Sequence, residues 1–200
     1  TSPSGPYFSS GLNPIKLKVE EEYIRAAPGG TGEAKCAGNY AASLLAAEIA
    51  LKEGFDQVLW LDVERKYLQE VGAMNLFVVI DNVLVTPDLD GCILPGITRD
   101  AVIELGASHF KMSVEERHVS IHEVIEGIKN NKVTEIFGSG TAAVITPVGS
   151  LGYKGEHYTI GDGKIGPIAQ KMYDTLLGIQ YNELNIECAK DWIIEVQIDG

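Results

Sequence analysis

The sequence predicts a mixed α/β domain, and three observations carry that expectation. Short apolar runs of strand length alternate with longer stretches that repeat apolar residues at helical spacing. Several strand-like runs are separated only by turn residues, as at Asp81-Asn82. Such hairpin-length connections speak against a simple doubly wound parallel sheet, whose strands need long crossovers. The composition is that of an ordinary globular chain, with 45% hydrophobic and 22% charged residues among 200. A chain of this length buries roughly 70% of the surface it would expose unfolded, so it needs no staples.

Each element has its own signal. Residues 1–14 are rich in Pro, Gly and Ser, with Tyr7 and Phe8 among them, and read as a loop or linker. Ile15 to Ala26 is rich in alternating and β-branched residues and reads as a strand. Pro28-Gly29-Gly30-Thr31-Gly32 is a loop. Ala41 to Lys52 reads as a helix with Leu44, Leu45, Ala47 and Leu51 as its apolar stripe, ended by Gly54. Val58 to Leu61, Tyr67 to Glu70, Leu76 to Ile80 and Val83 to Val85 read as strands. Thr98 to Phe110 is a helix, and Ser120 caps the next, which carries Val124, Ile125 and Ile128. Ile136 and Ala142 to Ile145 are short apolar segments around Gly138-Ser139-Gly140. The last helix runs from about Gly166 to Tyr181, with Pro167 in its opening turn.

Composition also excludes function classes. Sixteen basic residues against 28 acidic ones give a net charge of −12, a field that repels a phosphate backbone, so no nucleic-acid partner is expected. No apolar run reaches the roughly 18 residues of a membrane span, so no membrane partner is expected. Cys36, Cys92 and Cys188 are scattered and form no CxxC, which points to a reducing compartment, the cytoplasm. His118 and His122 are four apart but lack the glutamate of a zincin motif, so no metal is expected.

Four stretches could carry chemistry. Lys35 has small neighbours in Gly32-Glu33-Ala34-Lys35-Cys36-Ala37-Gly38, so something bulky could approach it, and a lysine amine can form a Schiff base. A lone lysine is more often a solvated one. Glu70 stands at a strand end before Gly72 and could face a site; alone, it reads as a surface carboxylate. Pro95-Gly96-Ile97-Thr98 opens a helix whose free N–H groups can hold an anion. Gly138-Ser139-Gly140-Thr141 can form an anion-binding nest but lacks the lysine and context of a P-loop.

Taken together, and in this order, the stretches resemble the fold-type IV pyridoxal-phosphate aminotransferases, most closely the branched-chain amino acid aminotransferases. The matching wording is Gly29-Gly30-Thr31-Gly32-Glu33-Ala34-Lys35 with Gly38-Asn39-Tyr40, then Glu70-Val71-Gly72-Ala73-Met74-Asn75-Leu76-Phe77. Leu94-Pro95-Gly96-Ile97-Thr98-Arg99-Asp100 and Phe137-Gly138-Ser139-Gly140-Thr141-Ala142 complete it. The wording is closest to that of bacterial members. The resemblance implies the large C-terminal domain of the D-amino-acid-aminotransferase-like fold, a mixed sheet or pseudo-barrel flanked by helices. Residues 1–14 would then be an interdomain linker, residues 15–200 the cofactor-binding domain, and the N-terminal domain would be absent.

The resemblance also implies roles. Lys35 matches the lysine that carries pyridoxal phosphate and then serves as general base and acid. Glu70 matches the carboxylate facing the pyridine nitrogen, and Tyr40 the donor to the phenolate oxygen. Ile97, Thr98 and Thr141 match phosphate contacts, while Thr141 and Ala142 match the turn that receives the substrate carboxylate. Arg25 is common in the family and receives no role. The implied reaction is transamination of Leu, Ile and Val with 2-oxoglutarate in a homodimer. Two sister activities stay open, D-amino-acid transamination and aminodeoxychorismate lysis, as does an inactive truncated fragment. Two departures stand out. Ala143-Val144-Ile145-Thr146 replaces the CxxC of the mammalian enzymes, so no thiol switch is expected, and Ala73 replaces a hydroxyl residue of some relatives.

Overall fold

The computed structural model describes residues 12–194 and 196. The expected linker at 1–14 therefore lies largely outside the described residues. In chain order the elements are β1 (Ile15–Val19), α1 (Ala37–Lys52), β2 (Gln57–Leu61), β3 (Leu68–Val71), β4 (Met74–Ile80) and β5 (Val83–Thr86). Next come α2 (Ile97–Glu104), β6 (Val114–Glu116), α3 (Ile121–Lys129), β7 (Val133–Gly140), β8 (Val144–Tyr153), β9 (Glu156–Thr159) and α4 (Pro167–Gln180). One π turn, Leu105–His109, prolongs α2.

The sheet closes on itself. Strand β4 pairs with β3, β3 with β2, β2 with β1, β1 with β8, β8 with β7, and β7 returns to β4. Strand β1 runs parallel to both neighbours, and the other pairs of the ring are antiparallel. This mixture is the expected departure from a doubly wound sheet. Closure leaves no free edge within the ring. Strands β5 and β6 extend outward from β4, and β9 from β8.

Successive side chains of a strand point to opposite faces, so one strand serves two cores. Leu76 and Val78 of β4 join the barrel interior with Leu17, Leu59, Leu61, Ile136 and Leu151. Phe77 and Val79 of the same strand face outward against Val102 of α2 and Met172 and Leu176 of α4. Burial on both faces is why β4 reads as a continuous apolar run. Helix α3 contributes Ile121, Val124 and Ile125 to the barrel interior, closing the end that holds the β2–β3 and β4–β5 turns. Ser120 caps it as expected, its hydroxyl accepting from the Glu123 N–H at 3.0 Å. Among the described residues, no helix is long and apolar enough to cross a membrane.

Three sequence expectations are corrected. The first strand stops at Val19, not Ala26, because the buried Glu20 carboxylate accepts from the N–H groups of Glu22 and Tyr23 and turns the chain. Helix α1 begins at Ala37 and does not bury its leucines: Leu44, Leu45 and Leu51 are exposed, while Ala46 and Ala50 face β2. The bulky Trp60 side chain fills that interface, with its indole N–H on the Gly72 carbonyl, so small residues of α1 fit there. The segments around Gly138-Ser139-Gly140 are long strands, β7 and β8. Gly and Ser resemble loop material, but here strands on both sides approach closely. Strands β6 and β9 were not anticipated, being short and polar.

Helix α4 is capped from outside its own sequence. Pro167 opens it as expected, but no side chain of its own caps it. The buried Glu135 of β7 accepts from the N–H groups of Ile168 and Ala169 at 2.9 and 2.8 Å. A carboxylate at a helix N-terminus satisfies orphan donors and the dipole together. Glu135→Ala is expected to cost about 3 kcal/mol or more, since two hydrogen bonds are lost and those to charged groups contribute about 1.5–3 kcal/mol each. Urea unfolding of wild type and variant checks this; an unchanged midpoint would show that water replaces the cap without cost.

Candidate active site

The site lies at the mouth of the barrel opposite α3, where the β3–β4 and β7–β8 turns meet. Strand register builds its floor. Glu70 pairs with Asn75 across β3 and β4, and Asn75 pairs with Ser139 across β4 and β7. The three polar residues form one lateral row, each buried.

Lys35 rests on a short loop before α1. Ala34 N–H donates to the Thr31 carbonyl and Cys36 N–H to the Ala34 carbonyl, so the chain doubles back at the lysine. Asn39, buried in the first turn of α1, fixes this loop. Its amide donates to the carbonyls of Thr31 and Ala34 at 2.7 and 2.9 Å, and its oxygen accepts from the Thr31 hydroxyl. The backbone presses close here: a Cβ on Gly32 would stand 2.5 Å from the Cys92 carbonyl oxygen. The Lys35 side chain is left exposed and reaches two adjoining cavities.

The first cavity is about 220 Å³, walled by Lys35, Asn75, Ile97, Thr98, Ser139 and Thr141. Helix α2 opens onto it. Its N-cap is Gly96, and no side chain caps the first turn, so the N–H groups at Ile97 and Thr98 are available there. Asn75 holds the approach to that helix, donating from Nδ2 to the Leu94 carbonyl at 2.7 Å. Any side chain at Gly96 would collide with the Asn75 amide oxygen. The Ser139 hydroxyl in the cavity wall is buried without a partner. A buried polar group left unsatisfied is costly, which marks the place for an acceptor or donor from outside the chain.

The second cavity, about 360 Å³, is walled by Lys35, Tyr40, Ala73, Met74, Thr141 and Ala142. Thr141-Ala142-Ala143 is the three-residue turn of the β7–β8 hairpin. Val144 closes it at φ +55°, a left-handed conformation that a β-branched residue rarely adopts. Ala73 lies in both walls.

Glu70 lines neither cavity; it is 2% exposed and pairs across the strands with Asn75, which does line the first. One carboxylate oxygen accepts from the Leu94 N–H at 2.8 Å and the other pairs with Arg25 Nε at 2.8 Å. Burial pushes its pKa up to about 7, and Arg25, the Leu94 N–H and the Lys35 charge hold it from rising further.

The fold thus brings Lys35, Tyr40, Ile97, Thr98, Thr141 and Ala142 into the walls of two adjoining cavities, whereas Glu70 lines neither and is joined to them through its strand partner Asn75. Sequence reasoning passed over Asn39, Asn75 and Ser139, although each stands inside a quoted motif. Their role is to shape backbone through hydrogen bonds, and residue type alone gives no sign of that. Among the described residues, no group of three His, Cys, Asp or Glu could hold a metal.

A lysine-bearing loop and an uncapped helix start meet at the barrel mouth, next to a strand pair that holds a buried carboxylate. Residues 9–151 match the family model of the class IV amino-transferases, and the chain belongs to that family. It is 50% identical over 196 residues to branched-chain-amino-acid aminotransferase 2 of Bacillus subtilis, covering 98% of this chain and 53% of that protein. The crystal structure of the Escherichia coli branched-chain amino acid aminotransferase matches with TM-score 0.80 at 35% identity, covering 93% of this chain and 58% of that one. The enzyme of the same name from Thermobaculum terrenum, in its PLP-form, matches with TM-score 0.77 at 29% identity, covering 90% of this chain and 54% of that one. The chain spans about half the length of the curated relatives it matches. The resemblance carried by the four motifs, and the fold it implied, are borne out.

Proposed function

We propose that this chain is the cofactor-binding domain, residues 15–200, of a branched-chain-amino-acid aminotransferase. The whole enzyme moves the amino group of Leu, Ile or Val to 2-oxoglutarate with pyridoxal 5'-phosphate. The observation that carries this reading is the convergence of Lys35, the α2 start and the Thr141 turn on two adjoining cavities. The groups fit the cofactor. An exposed amine suits its aldehyde, an uncapped helix start suits its phosphate, the unpartnered Ser139 hydroxyl suits a further polar contact, and a buried acid suits its ring nitrogen.

When bound, the cofactor supplies an electron sink for the charge left at the α-carbon of the amino acid. Lys35 would hold the cofactor through its amine and would act as general base and acid toward the α-carbon of the amino acid. Glu70 would be the carboxylate that keeps the ring nitrogen protonated. Tyr40 donates to the phenolate oxygen, which orients the ring. The backbone at Ile97 and Thr98 and the Thr141 side chain hold the phosphate. The Thr141-Ala142 turn offers N–H groups to the substrate carboxylate. The exposed Leu44, Leu45 and Leu51 of α1 support a covered face in the complete homodimer. The free cysteines support a cytoplasmic setting.

The test uses the full-length enzyme loaded with cofactor, reduced with borohydride and mapped by peptide mass. The expected adduct is on the peptide carrying Lys35, and the amino donors consumed with 2-oxoglutarate are Leu, Ile and Val. An adduct at another lysine, preference for D-amino acids, or release of pyruvate from aminodeoxychorismate would overturn the reading.

A further inference from the structure

Arg25 takes no part in the roles above, yet its side chain is buried, 6% exposed, directly behind the cleft. It sits on the irregular segment that follows β1. The chain leaves the sheet at Val19, and the guanidinium turns in beneath the lysine loop. Nε pairs with Glu70 Oε2 at 2.8 Å. Nη1 donates to the Cys92 carbonyl at 2.7 Å and to the Gly32 carbonyl at 3.2 Å, and Nη2 also donates to Gly32 at 3.2 Å. The second Glu70 oxygen is held by the Leu94 N–H.

This one group therefore joins three segments that the site needs in register. Gly32 lies three residues before Lys35. Glu70 ends β3. Cys92 and Leu94 lead into the Pro95-Gly96 approach to α2. A guanidinium offers its donors in a fixed planar fork, which lets it serve a carboxylate and two carbonyls at once; an ammonium is a point charge and cannot fix the same directions.

We propose that Arg25 is a positioning residue for transamination: it holds the Glu70 carboxylate as an anion in one orientation toward the cofactor ring nitrogen and locks the lysine loop to the α2 approach. The inference rests on the function proposed above. The charged groups that act on Glu70 are Arg25 from the segment after β1 and Lys35 from the loop before α1. Arg25 is the largest influence opposing the burial that drives this acid toward its neutral form. A neutral acid at that position cannot balance a protonated ring nitrogen.

Two variants of the full-length enzyme, Arg25→Gln and Arg25→Lys, test this, with Glu70→Gln and the Arg25→Gln/Glu70→Gln double variant completing a cycle. Two readouts are taken. In the cofactor-free protein, carbon-13 signals of labelled glutamate carboxyls follow the Glu70 titration, assigned by its loss in Glu70→Gln. In the loaded enzyme, single-turnover proton transfer from leucine is timed. Arg25→Gln is expected to move the Glu70 midpoint up by at least one pH unit and to slow proton transfer tenfold or more. Arg25→Lys restores the midpoint in part but not the rate. In the Glu70→Gln background, Arg25→Gln is expected to add less than twofold, because its effect runs through Glu70. An unmoved midpoint, or equal losses in both backgrounds, overturns the proposal; if Arg25→Gln fails to fold, Arg25→Lys is read on proton transfer, and a rate within about twofold of wild type overturns it. The cofactor-free titration reads the pair independently of the reaction, so failure of the proposed function shows instead in the borohydride map and the substrate panel.

Discussion

Lys35→Ala in the full-length enzyme is expected to abolish turnover of leucine with 2-oxoglutarate. The amine belongs to the one lysine side chain in the walls of both cavities, and the loop that presents it is fixed by Asn39 rather than by the lysine itself. The variant should therefore fold as wild type does. General acid–base catalysis by a positioned side chain contributes about 10²–10⁴-fold. Loss of the covalent anchor adds to that, so the expected fall in kcat is at least about 10⁴-fold. Steady-state kinetics, together with the loss of a borohydride-stable adduct, check it. A variant within tenfold of wild type would mean that another group moves the proton.

Glu70→Gln is expected to keep cofactor attachment at Lys35 but to slow proton transfer from the α-carbon by about a hundredfold, a typical loss when one preorganised electrostatic partner is removed. The amide carries no charge to balance the ring-nitrogen proton. A single-turnover measurement reads this step directly, and an unchanged rate constant would remove Glu70 from the mechanism.

The same substitution has a signature in stability. The Glu70 pKa in the folded chain, about 7, lies above the 4.5 of an unburied glutamate. The folded protein thus binds this proton more tightly than the unfolded one. The stability it contributes is fully present below about pH 4.5 and is lost as pH rises through about 7. At 1.36 kcal/mol per unit the loss amounts to about 3 kcal/mol. Urea midpoints of the cofactor-free protein between pH 4.5 and 8 are expected to fall by this increment more in wild type than in Glu70→Gln. Parallel curves would show that Glu70 titrates normally.

How much of this was legible before folding differs between residues. Lys35, Tyr40, Glu70, Ile97, Thr98, Thr141 and Ala142 each stand inside a short stretch whose wording is distinctive, and those stretches alone brought the family into view. Local chemistry also announced the Ser120 cap, the Pro167 helix start and the Asp81-Asn82 turn, because caps and turns depend on neighbours in sequence. The leucines of α1 misled for the opposite reason. Helical period marks an apolar side of a helix, but which side meets the sheet depends on what Trp60 leaves room for, and Trp60 belongs to a different element.

By itself, then, the sequence determined the family, the class of domain and the order of its main elements. Tertiary structure alone decided how they meet. The row Glu70–Asn75–Ser139 exists only because β4 pairs with β3 on one side and with β7 on the other, in one register. Glu135 caps α4 from 33 residues away, and Arg25 reaches Cys92 across 67. A local pattern records the propensity of a segment. Long-range pairing is fixed by which closed arrangement buries both faces of the strands and satisfies their backbone, and that condition is met by the whole chain at once.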